Sequence, residues 1–199
     1  MNSEMVFDPS LPKIDMDSFP KKDWNYSTYS TPGEELKEEL PPNMPEPLGK
    51  GFVIRGFVDA NHAGECLTRQ SRTGYVVFLN KAPICWFSKN QGYLETSTFG
   101  SELMEMKQVI EYLRDLRYKL RMFGIPVDEP AYVFGENQSL LCNTSMPEST
   151  LKKKCLAIAF RFVREGCARN EWRTTYINTH FNLANLMTNR LQAISGGVL

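Results

Sequence analysis

Residues 54–65 of the chain read IRGFVDANHAGE, and the predicted fold is built around them. With Phe52 and Val53 before it, the stretch begins as a short apolar run that ends in Asp59. Such a run, bounded by turn-forming residues, is typical of a buried strand, which we predict over 52–59. A carboxylate at the point where a strand leaves a sheet is well placed to bind a metal ion, and oxygen ligands of this kind suit Mg²⁺. Any sheet protein can end a strand in Asp. Asp59 therefore indicates a metal site only if other acidic side chains lie beside it.

Four further strands are predicted from short apolar runs. They cover 75–79, 84–88, 131–134 and 172–177. Short links between the first three strands of the chain indicate an antiparallel meander.

A long amphipathic helix is predicted over 98–123. Its apolar residues recur at steps of three and four: Leu103, Met106, Ile110, Leu113 and Leu120. Gly124 and Pro126 end it. The opposite face carries Lys107, Arg114, Arg117, Lys119 and Arg121. We expect this basic face to be solvated, which is more common for such a face than a binding role.

Shorter helices are predicted over 137–144, 151–168 and 183–191, the second of them capped by Ser149 or Thr150. The resulting order is three strands, helix, strand, helix, strand, helix. That order predicts an α/β fold: a five-stranded mixed sheet with flanking helices. Core packing is the expected role of the aromatic residues in these elements, which are Trp86, Phe87, Phe160, Phe162 and Trp172.

The chain divides by charge and composition near residue 50. Residues 1–50 carry 5 Lys/Arg and 10 Asp/Glu and are rich in proline, whereas residues 51–199 carry 18 and 13. We predict an acidic, Pro-rich leader over 1–50 and one globular domain over 51–199. Isolated apolar residues of the leader are expected to pack onto the domain: Val6, Phe7, Leu11, Ile14, Phe19 and Trp24. The mildly basic domain is compatible with nucleic-acid binding.

Composition excludes several classes of protein. No apolar run approaches the length of a membrane span, and no signal peptide is recognisable. The five cysteines are odd in number and lack CxxC spacing, which argues against a zinc ribbon or a disulfide framework and for a reducing compartment. We therefore expect an intracellular protein, cytoplasmic or nuclear. Two histidines are too few for a histidine-rich metal site, and no phosphate-binding glycine loop is present.

Seven ordered segments carry a resemblance to a known family. They are FVDANHAGE (57–65), SRTGYVVFLNKAPICWFSK (71–89), ETSTFGSELMEMK (95–107), IEYLRDLRYKLRMFGIP (110–126), FGENQSL (134–140), PESTLKKKCLAIAFRFVRE (147–165) and NLANLMTN (182–189). Together they resemble the ribonuclease H domain that closes the polyprotein of copia-type LTR retrotransposons, C-terminal to the reverse transcriptase. The leader segment VFDPSLPKIDMDSF (6–19) is similar to the connection downstream of that reverse transcriptase.

The resemblance implies a ribonuclease H-like fold and a nuclease that hydrolyses the RNA strand of an RNA–DNA hybrid. Such enzymes use four acids and two Mg²⁺ ions, with Mn²⁺ as a possible substitute. It further implies a nucleic-acid partner and contact with the reverse transcriptase of the same polyprotein.

Position by position, the resemblance places the catalytic residues at Asp59, Glu102, Glu136 and Asn185. The first three would hold metal. Two positions depart from the family: Glu136 stands where Asp is usual, and Asn185 replaces the Asp of the Leu-Ala-Asp-Leu segment. The longer side chain at Glu136 and the missing charge at Asn185 put metal binding and activity in doubt, but not the fold.

Candidate nucleic-acid contacts follow the third acid and precede the last long helix. They are Asn137, Gln138, Ser139, Lys152, Lys153, Lys154 and Arg161. The three lysines and Arg161 would contact phosphates, and the residues beside Glu136 would contact sugar or phosphate. For both groups a plain alternative stays open: the lysines are solvated, and Asn137 to Ser139 only begin a helix.

Two functions therefore remain open. One is a metal-dependent hybrid ribonuclease, weakened or silenced at Glu136 and Asn185. The other is a catalytically inactive ribonuclease H-like module that binds nucleic acid or protein, or a decayed fragment of an element. The apolar pattern of every predicted strand and helix is intact, which favours the first.

Overall fold

The computed structural model describes residues 14–20, 22, 24, 36–61, 71–92, 97–151 and 154–188. Its strands are β1 (Ile54–Asn61), β2 (Arg72–Leu79), β3 (Ala82–Asn90), β4 (Ala131–Gly135) and β5 (Trp172–Tyr176). Its helices are α1 (Thr98–Met122), α2 (Gln138–Ser145), α3 (Ala157–Ala168) and the single turn α4 (Asn185–Thr188). Short 3₁₀ segments cover Met16–Ser18, Lys154–Leu156 and Thr179–Phe181.

One sheet organises these elements, in the spatial order β3-β2-β1-β4-β5. The first three strands pair antiparallel, and β4 and β5 join in parallel with β1. The predicted α/β fold, a five-stranded mixed sheet with a meander, is confirmed. Pairing continues beyond the apolar run, because Asn61 is still opposite Arg72. Asp59 therefore lies two residues before the end of β1 and not at its last residue.

Both faces of the sheet are covered, which explains why β1 is apolar along most of its length instead of alternating. On one face Val58, Val77 and Val133 share a core with residues of α1 and α3. On the other face the rings of Phe57 and Phe134 stack with centroids 4.8 Å apart. This second core includes residues from both ends of the described chain.

The N-terminal segment packs onto that second core. Phe19 is 1% exposed and contacts the rings of Tyr132 and Phe134 edge-on, at centroid distances of 4.9 and 5.2 Å. Trp24 is also buried, and the guanidinium of Arg164 lies 5.0 Å from the centre of its ring. The anchoring predicted for these two residues is confirmed, and Ile14 packs against the second core. The predicted anchors Val6, Phe7 and Leu11 lie outside the described residues.

Glu38, in the acidic leader, contacts the basic face of α1. Its carboxylate accepts hydrogen bonds from Arg117 at 2.6 and 2.8 Å and from Arg121 at 2.5 and 2.8 Å. Both arginines are buried. The expected solvated face is therefore wrong for these two residues, because an acid distant in sequence neutralises them. Lys119 does remain exposed, paired with Asp115 along the helix.

The start of α3 also differs from the prediction. The helix begins at Ala157 after a 3₁₀ turn, with Leu156 at the N-cap position and no side-chain cap. Ser149 is not available as a cap because its hydroxyl donates to Asn143 Oδ1 at 2.5 Å. The prediction of a helix from residue 151 was wrong by about two turns.

Trp86 is the clear error in the predicted core. It is 66% exposed on β3, which lies at the edge of the sheet and, among the described strands, pairs with β2 alone. Trp172 and Phe160 are buried as predicted, and Phe87 and Phe162 are partly buried. The helix predicted over 183–191 is present as α4, and residues 189–191 lie outside the described residues. Within the described ranges, no helix has the length and apolar character needed to span a membrane.

Candidate functional site

Asp59, Glu102 and Glu136 line one small pocket at the end of the sheet. Asp59 lies in β1, Glu102 in the second turn of α1, and Glu136 directly after β4. Because β1 and β4 are parallel neighbours, their carboxyl ends meet at the same edge of the sheet. The three acids that the sequence predicted to act together are therefore brought together by three separate elements.

Asp59 is held by its neighbours on two sides. The Thr188 hydroxyl of α4 donates a hydrogen bond to its carboxylate, and its own backbone N–H donates to Glu105 Oε1 at 3.0 Å. Burial raises the pKa of Asp59 above its ordinary value; the hydrogen bond from Thr188 opposes this shift, and the charge of Glu136 adds to it. The charged form of the Asp59 carboxyl is therefore less favourable in the folded protein than in water.

Glu102 is the most perturbed of the three predicted acids. Ser97 caps the helix that carries it by accepting the Gly100 N–H at 3.2 Å. Burial raises the pKa of Glu102 to about 7; a hydrogen bond with Asn137 opposes the shift, and the charges of Asp59 and Glu136 increase it. A carboxyl with this pKa exchanges its proton near neutral pH, as a general acid or base must.

Glu136 has both carboxylate oxygens bonded to protein donors. Asn182 Nδ2 donates to Oε1 at 2.9 Å, and the Thr179 hydroxyl donates to Oε2 at 2.8 Å. The same Asn182 amide also donates to the Val58 carbonyl, at 2.8 Å. Glu136 therefore connects the end of β4 to the segment that precedes α4.

Asn185, the fourth predicted position, does not line this pocket. Its amide Nδ2 donates to the Thr179 carbonyl at 2.5 Å. The side chain thus stabilises the 3₁₀ turn before α4 in a hydrogen bond that a carboxylate, which has no N–H to donate, cannot make.

As these side chains lie in the structure, they are not arranged as a divalent-cation site. Within the described part of the chain, no three His, Cys, Asp or Glu side chains lie close enough together to hold a metal ion. Both oxygens of Glu136 and one of Asp59 already accept hydrogen bonds from Thr179, Asn182 and Thr188. The predicted ligands share a pocket, and three of their carboxylate oxygens already accept hydrogen bonds from the protein.

Only some of the residues predicted to contact nucleic acid lie together in the structure. Asn137 and Gln138 line an open groove of about 500 Å³ together with Glu102, Glu136, Tyr176 and Thr179. Asn137 also caps α2, accepting the Leu140 N–H at 2.9 Å, so its helix-starting role is present as well. Ser139 is exposed on α2 outside this groove.

The predicted basic contacts do not join the groove. Lys154 and Arg161 are exposed, but neither lines it. Lys152 and Lys153 lie outside the described residues. Phosphate binding by this basic cluster stays a prediction.

Several site residues were not predicted. Glu105 lines the acidic pocket and is 1% exposed, and Tyr176 lines the groove and is 45% exposed. The hydrogen-bond donors Thr179, Asn182 and Thr188 were also missed. Glu105 alone left a signal in the sequence, since it is an acid between Leu103 and Met106 on the apolar side of a helix. The three donors are recognisable only once the chain is folded.

Comparisons of sequence connect the chain to retrotransposon polyproteins. It is 24% identical over 147 residues to the Retrovirus-related Pol polyprotein from transposon RE2 of Arabidopsis thaliana, covering 74% of this chain and 10% of that protein. It is 25% identical over 143 residues to the corresponding polyprotein from transposon RE1, covering 72% and 10%. It is 24% identical over 140 residues to the polyprotein from transposon TNT 1-94 of Nicotiana tabacum, covering 70% and 10%. The chain spans about a tenth of the length of these relatives. No model of a protein family matches it.

Comparisons of structure identify the fold. RNase H1 from the halophilic archaeon Halobacterium salinarum NRC-1 superimposes with a TM-score of 0.51 at 14% identity, covering 69% of this chain and 95% of that one. LC11-RNase H1, solved in complex with an RNA/DNA hybrid, gives 0.51 at 19% identity, covering 68% and 94%. The resemblance predicted from the sequence is therefore confirmed: the chain has a ribonuclease H-type fold and is similar in sequence to the Pol polyproteins of copia-type retrotransposons.

Proposed function

We propose that this chain acts on RNA–DNA hybrids as a retrotransposon ribonuclease H-type domain, and that it hydrolyses the RNA strand only slowly. The observation that supports this most is the meeting of Asp59, Glu102 and Glu136 at one edge of the sheet, beside an open groove. The hybrid bound to LC11-RNase H1 indicates the class of nucleic acid to test first.

The groove contains hydrogen-bonding side chains that can bind the hydroxyls of a sugar–phosphate backbone. Gln138 and Thr179 supply an amide and a hydroxyl, and Glu102 and Glu136 supply carboxylate acceptors. The 2′-hydroxyl distinguishes RNA from DNA and is both a donor and an acceptor. Contacts of this kind position the backbone without reading its sequence.

We expect slow hydrolysis because two of the four predicted catalytic positions, Glu136 and Asn185, differ from the family and already have hydrogen-bond partners in the protein. Asn185 contributes no charge, and its amide is committed to the Thr179 carbonyl. The oxygens of Glu136 are satisfied by Asn182 and Thr179. The Mg²⁺ or Mn²⁺ ions expected from the resemblance belong to this proposal, and their binding to Asp59 or Glu136 would compete with these protein donors.

The test is a direct comparison of nucleic acids on the native chain. By fluorescence anisotropy we expect tighter binding of an RNA–DNA hybrid than of a DNA duplex of the same sequence. In buffer with Mg²⁺ or Mn²⁺ we expect slow cleavage of the RNA strand, abolished by Asp59→Asn. Equal affinity for both duplexes, with no cleavage, would contradict the proposal.

A second function is favoured by one specific observation. Because Thr179, Asn182 and Thr188 donate hydrogen bonds to the carboxylates of Glu136 and Asp59, the site is also compatible with a non-catalytic module that binds nucleic acid. Hybrid binding that is unaffected by Asp59→Asn, with no cleavage under any condition, would support this alternative.

Three further expectations, on the domain boundary, a partner and the cellular location, belong to the same proposal. We propose that the domain boundary lies near residue 50, that the reverse transcriptase of the same polyprotein is a partner, and that the protein works inside the cell. The first is supported by the change of composition and charge at that point, and the other two by the sequence similarity to Pol polyproteins.

A further inference from the structure

Glu105 is a buried carboxyl to which the proposed function gives no role. It is 1% exposed and lies one turn after Glu102 on α1. Its Oε1 accepts two backbone hydrogen bonds, from the Asp59 N–H at 3.0 Å and from the Gly74 N–H at 2.7 Å. One side-chain oxygen therefore bonds two backbone donors of the sheet at once.

The two donors are opposite each other in the sheet. Asp59 of β1 and Gly74 of β2 are paired residues near the ends of their strands. Glu105 therefore ties the first turns of α1 to this pair of strands. Since the same helix carries Glu102 and the same strand carries Asp59, the contact bears directly on the distance between these two acids.

α4 completes the arrangement from the other side. A Cβ added to Gly74 would lie 2.6 Å from Thr188 Cγ2 and 2.8 Å from Met187 Cβ, so the glycine allows α4 to pack directly on β2. Thr188 of α4 in turn donates to the Asp59 carboxylate. The backbone of Asp59 is thus held by Glu105, and its side chain by Thr188.

We propose that Glu105 is a positioning residue, which fixes the spacing between Asp59 and Glu102 through its bonds to the Asp59 and Gly74 amides. The inference rests on the proposed function, because it gives Glu105 a role in the same acidic site. What acts is the accepting oxygen and not a negative charge. A glutamine keeps that oxygen, whereas a leucine of similar size removes it.

The test compares Glu105→Gln and Glu105→Leu in the full chain. In Glu105→Leu we expect hydrogen-exchange protection of the Asp59 and Gly74 amides to fall about tenfold or more relative to Thr174 in β5. We also expect the side-chain carboxyl ¹³C resonances of Asp59 and Glu102 to shift. Both effects should return to native values in Glu105→Gln.

Glu171→Leu is the matched control. Glu171 is also an almost fully buried acid, 2% exposed, but it precedes β5 at the opposite end of the sheet and pairs with Arg114. This variant should lose stability without moving the Asp59 and Glu102 resonances. In the cleavage assay, Glu105→Leu should lower kcat about tenfold with KM unchanged, and Glu105→Gln should restore it.

Two results would overturn the role of Glu105. One is unchanged Asp59 and Glu102 resonances in Glu105→Leu, and the other is an equal shift in Glu171→Leu. Absence of cleavage in every variant would instead overturn the proposed function, while the resonances still decide whether Glu105 sets the spacing of the acids.

Discussion

The burial of Glu102 beside two other acids lowers the stability of the folded protein when this carboxyl is charged. Burial and the charges of Asp59 and Glu136 raise its pKa to about 7, above its ordinary value of 4.5. A carboxyl whose folded-state pKa is raised favours folding most when it is protonated. The folded state therefore loses stability as pH rises from about 4.5 through about 7.

Glu102→Gln should consequently stabilise the protein in alkaline but not in acidic solution. We expect a gain of about 1–2 kcal/mol at pH 8, an amount reduced by solvent screening of this partly exposed side chain, and almost none at pH 4. Thermal unfolding at both pH values measures it. Glu111→Gln, on the exposed side of the same helix, is the control and should change little at either pH. An equal effect of Glu102→Gln at both pH values would contradict the account.

For single residues, the sequence predicted those that a local motif or the family resemblance identifies. Asp59 was located from the strand pattern and Glu102 from the resemblance, and both line the pocket. The bonds that hold the acids were not predictable, because Thr188 and Asp59 are 129 positions apart in sequence. No pattern along the chain indicates such a contact.

The contact between the leader and α1 is the main finding at the scale of elements. Glu38 bonds Arg117 and Arg121, whose side chains also donate to the carbonyls of Glu129 and Val127. The pKa of Glu38 falls to about 2: burial acts to raise it, but the hydrogen bonds and charges of both arginines outweigh this. The leader is thus attached to α1 of the domain at this position.

Glu38→Gln should destabilise the fold by about 3 kcal/mol, because it leaves two buried arginines without a counter-charge. The contribution of Glu38 is complete above pH 4.5 and is lost as pH falls toward about 2, since its folded-state pKa is lowered. Urea unfolding at pH 7 measures the loss. The neighbouring Glu39→Gln is the control, because Glu39 is 85% exposed. Equal, small effects of the two changes would show that the buried pair adds nothing.

The packing of α3 on β5 supplies another prediction at this scale. A Cβ at Gly166 would lie 1.9 Å from the ring of Trp172, which is fully buried and donates its Nε1–H to the Val163 carbonyl at 3.0 Å. Gly166→Ala should cost about 3 kcal/mol, since the indole cannot move without losing this bond. Gly92→Ala, where a Cβ would meet nothing within 4 Å, is the control in the same denaturation assay. A native-like Gly166→Ala would contradict the described packing.

Elements were predicted best where one pattern dominates. The bounds of α1 are nearly as predicted, since its apolar residues repeat over 25 residues and glycine and proline follow its end. The start of α3 was wrong because Ser149 bonds to α2 and not to the helix that follows. Trp86 was wrong because its exposure depends on the position of β3 at the edge, which the order of strands in the chain does not reveal.

At the scale of the whole molecule, the leader covers surfaces of the domain that would otherwise meet water. Phe19 is buried on the second core, Trp24 is buried and lies by Arg164, and Leu36 is buried as well. The division at residue 50 follows composition, but these contacts cross it.

Removal of residues 1–50 should therefore weaken folding more than removal of a linker would. We expect a loss of more than about 3 kcal/mol, from the burial of Phe19 and Trp24 and from the Glu38 pairs. Chemical denaturation of 51–199 beside the full chain measures it, and Phe19→Ala in the full chain isolates the part due to one anchor. Equal stability of the two chains would show that the leader only rests on the surface.

We propose above that a ribonuclease H-type scaffold carries a weakened acidic site. This proposal is tested most directly by the rate of RNA-strand cleavage in an RNA–DNA hybrid, measured for the native chain beside the double variant Glu136→Asp with Asn185→Asp. We expect on the order of 100-fold faster cleavage by the variant, lost again when Asp59→Asn is added. A variant that binds the hybrid, folds as the native chain does and still leaves the RNA strand uncut would contradict it.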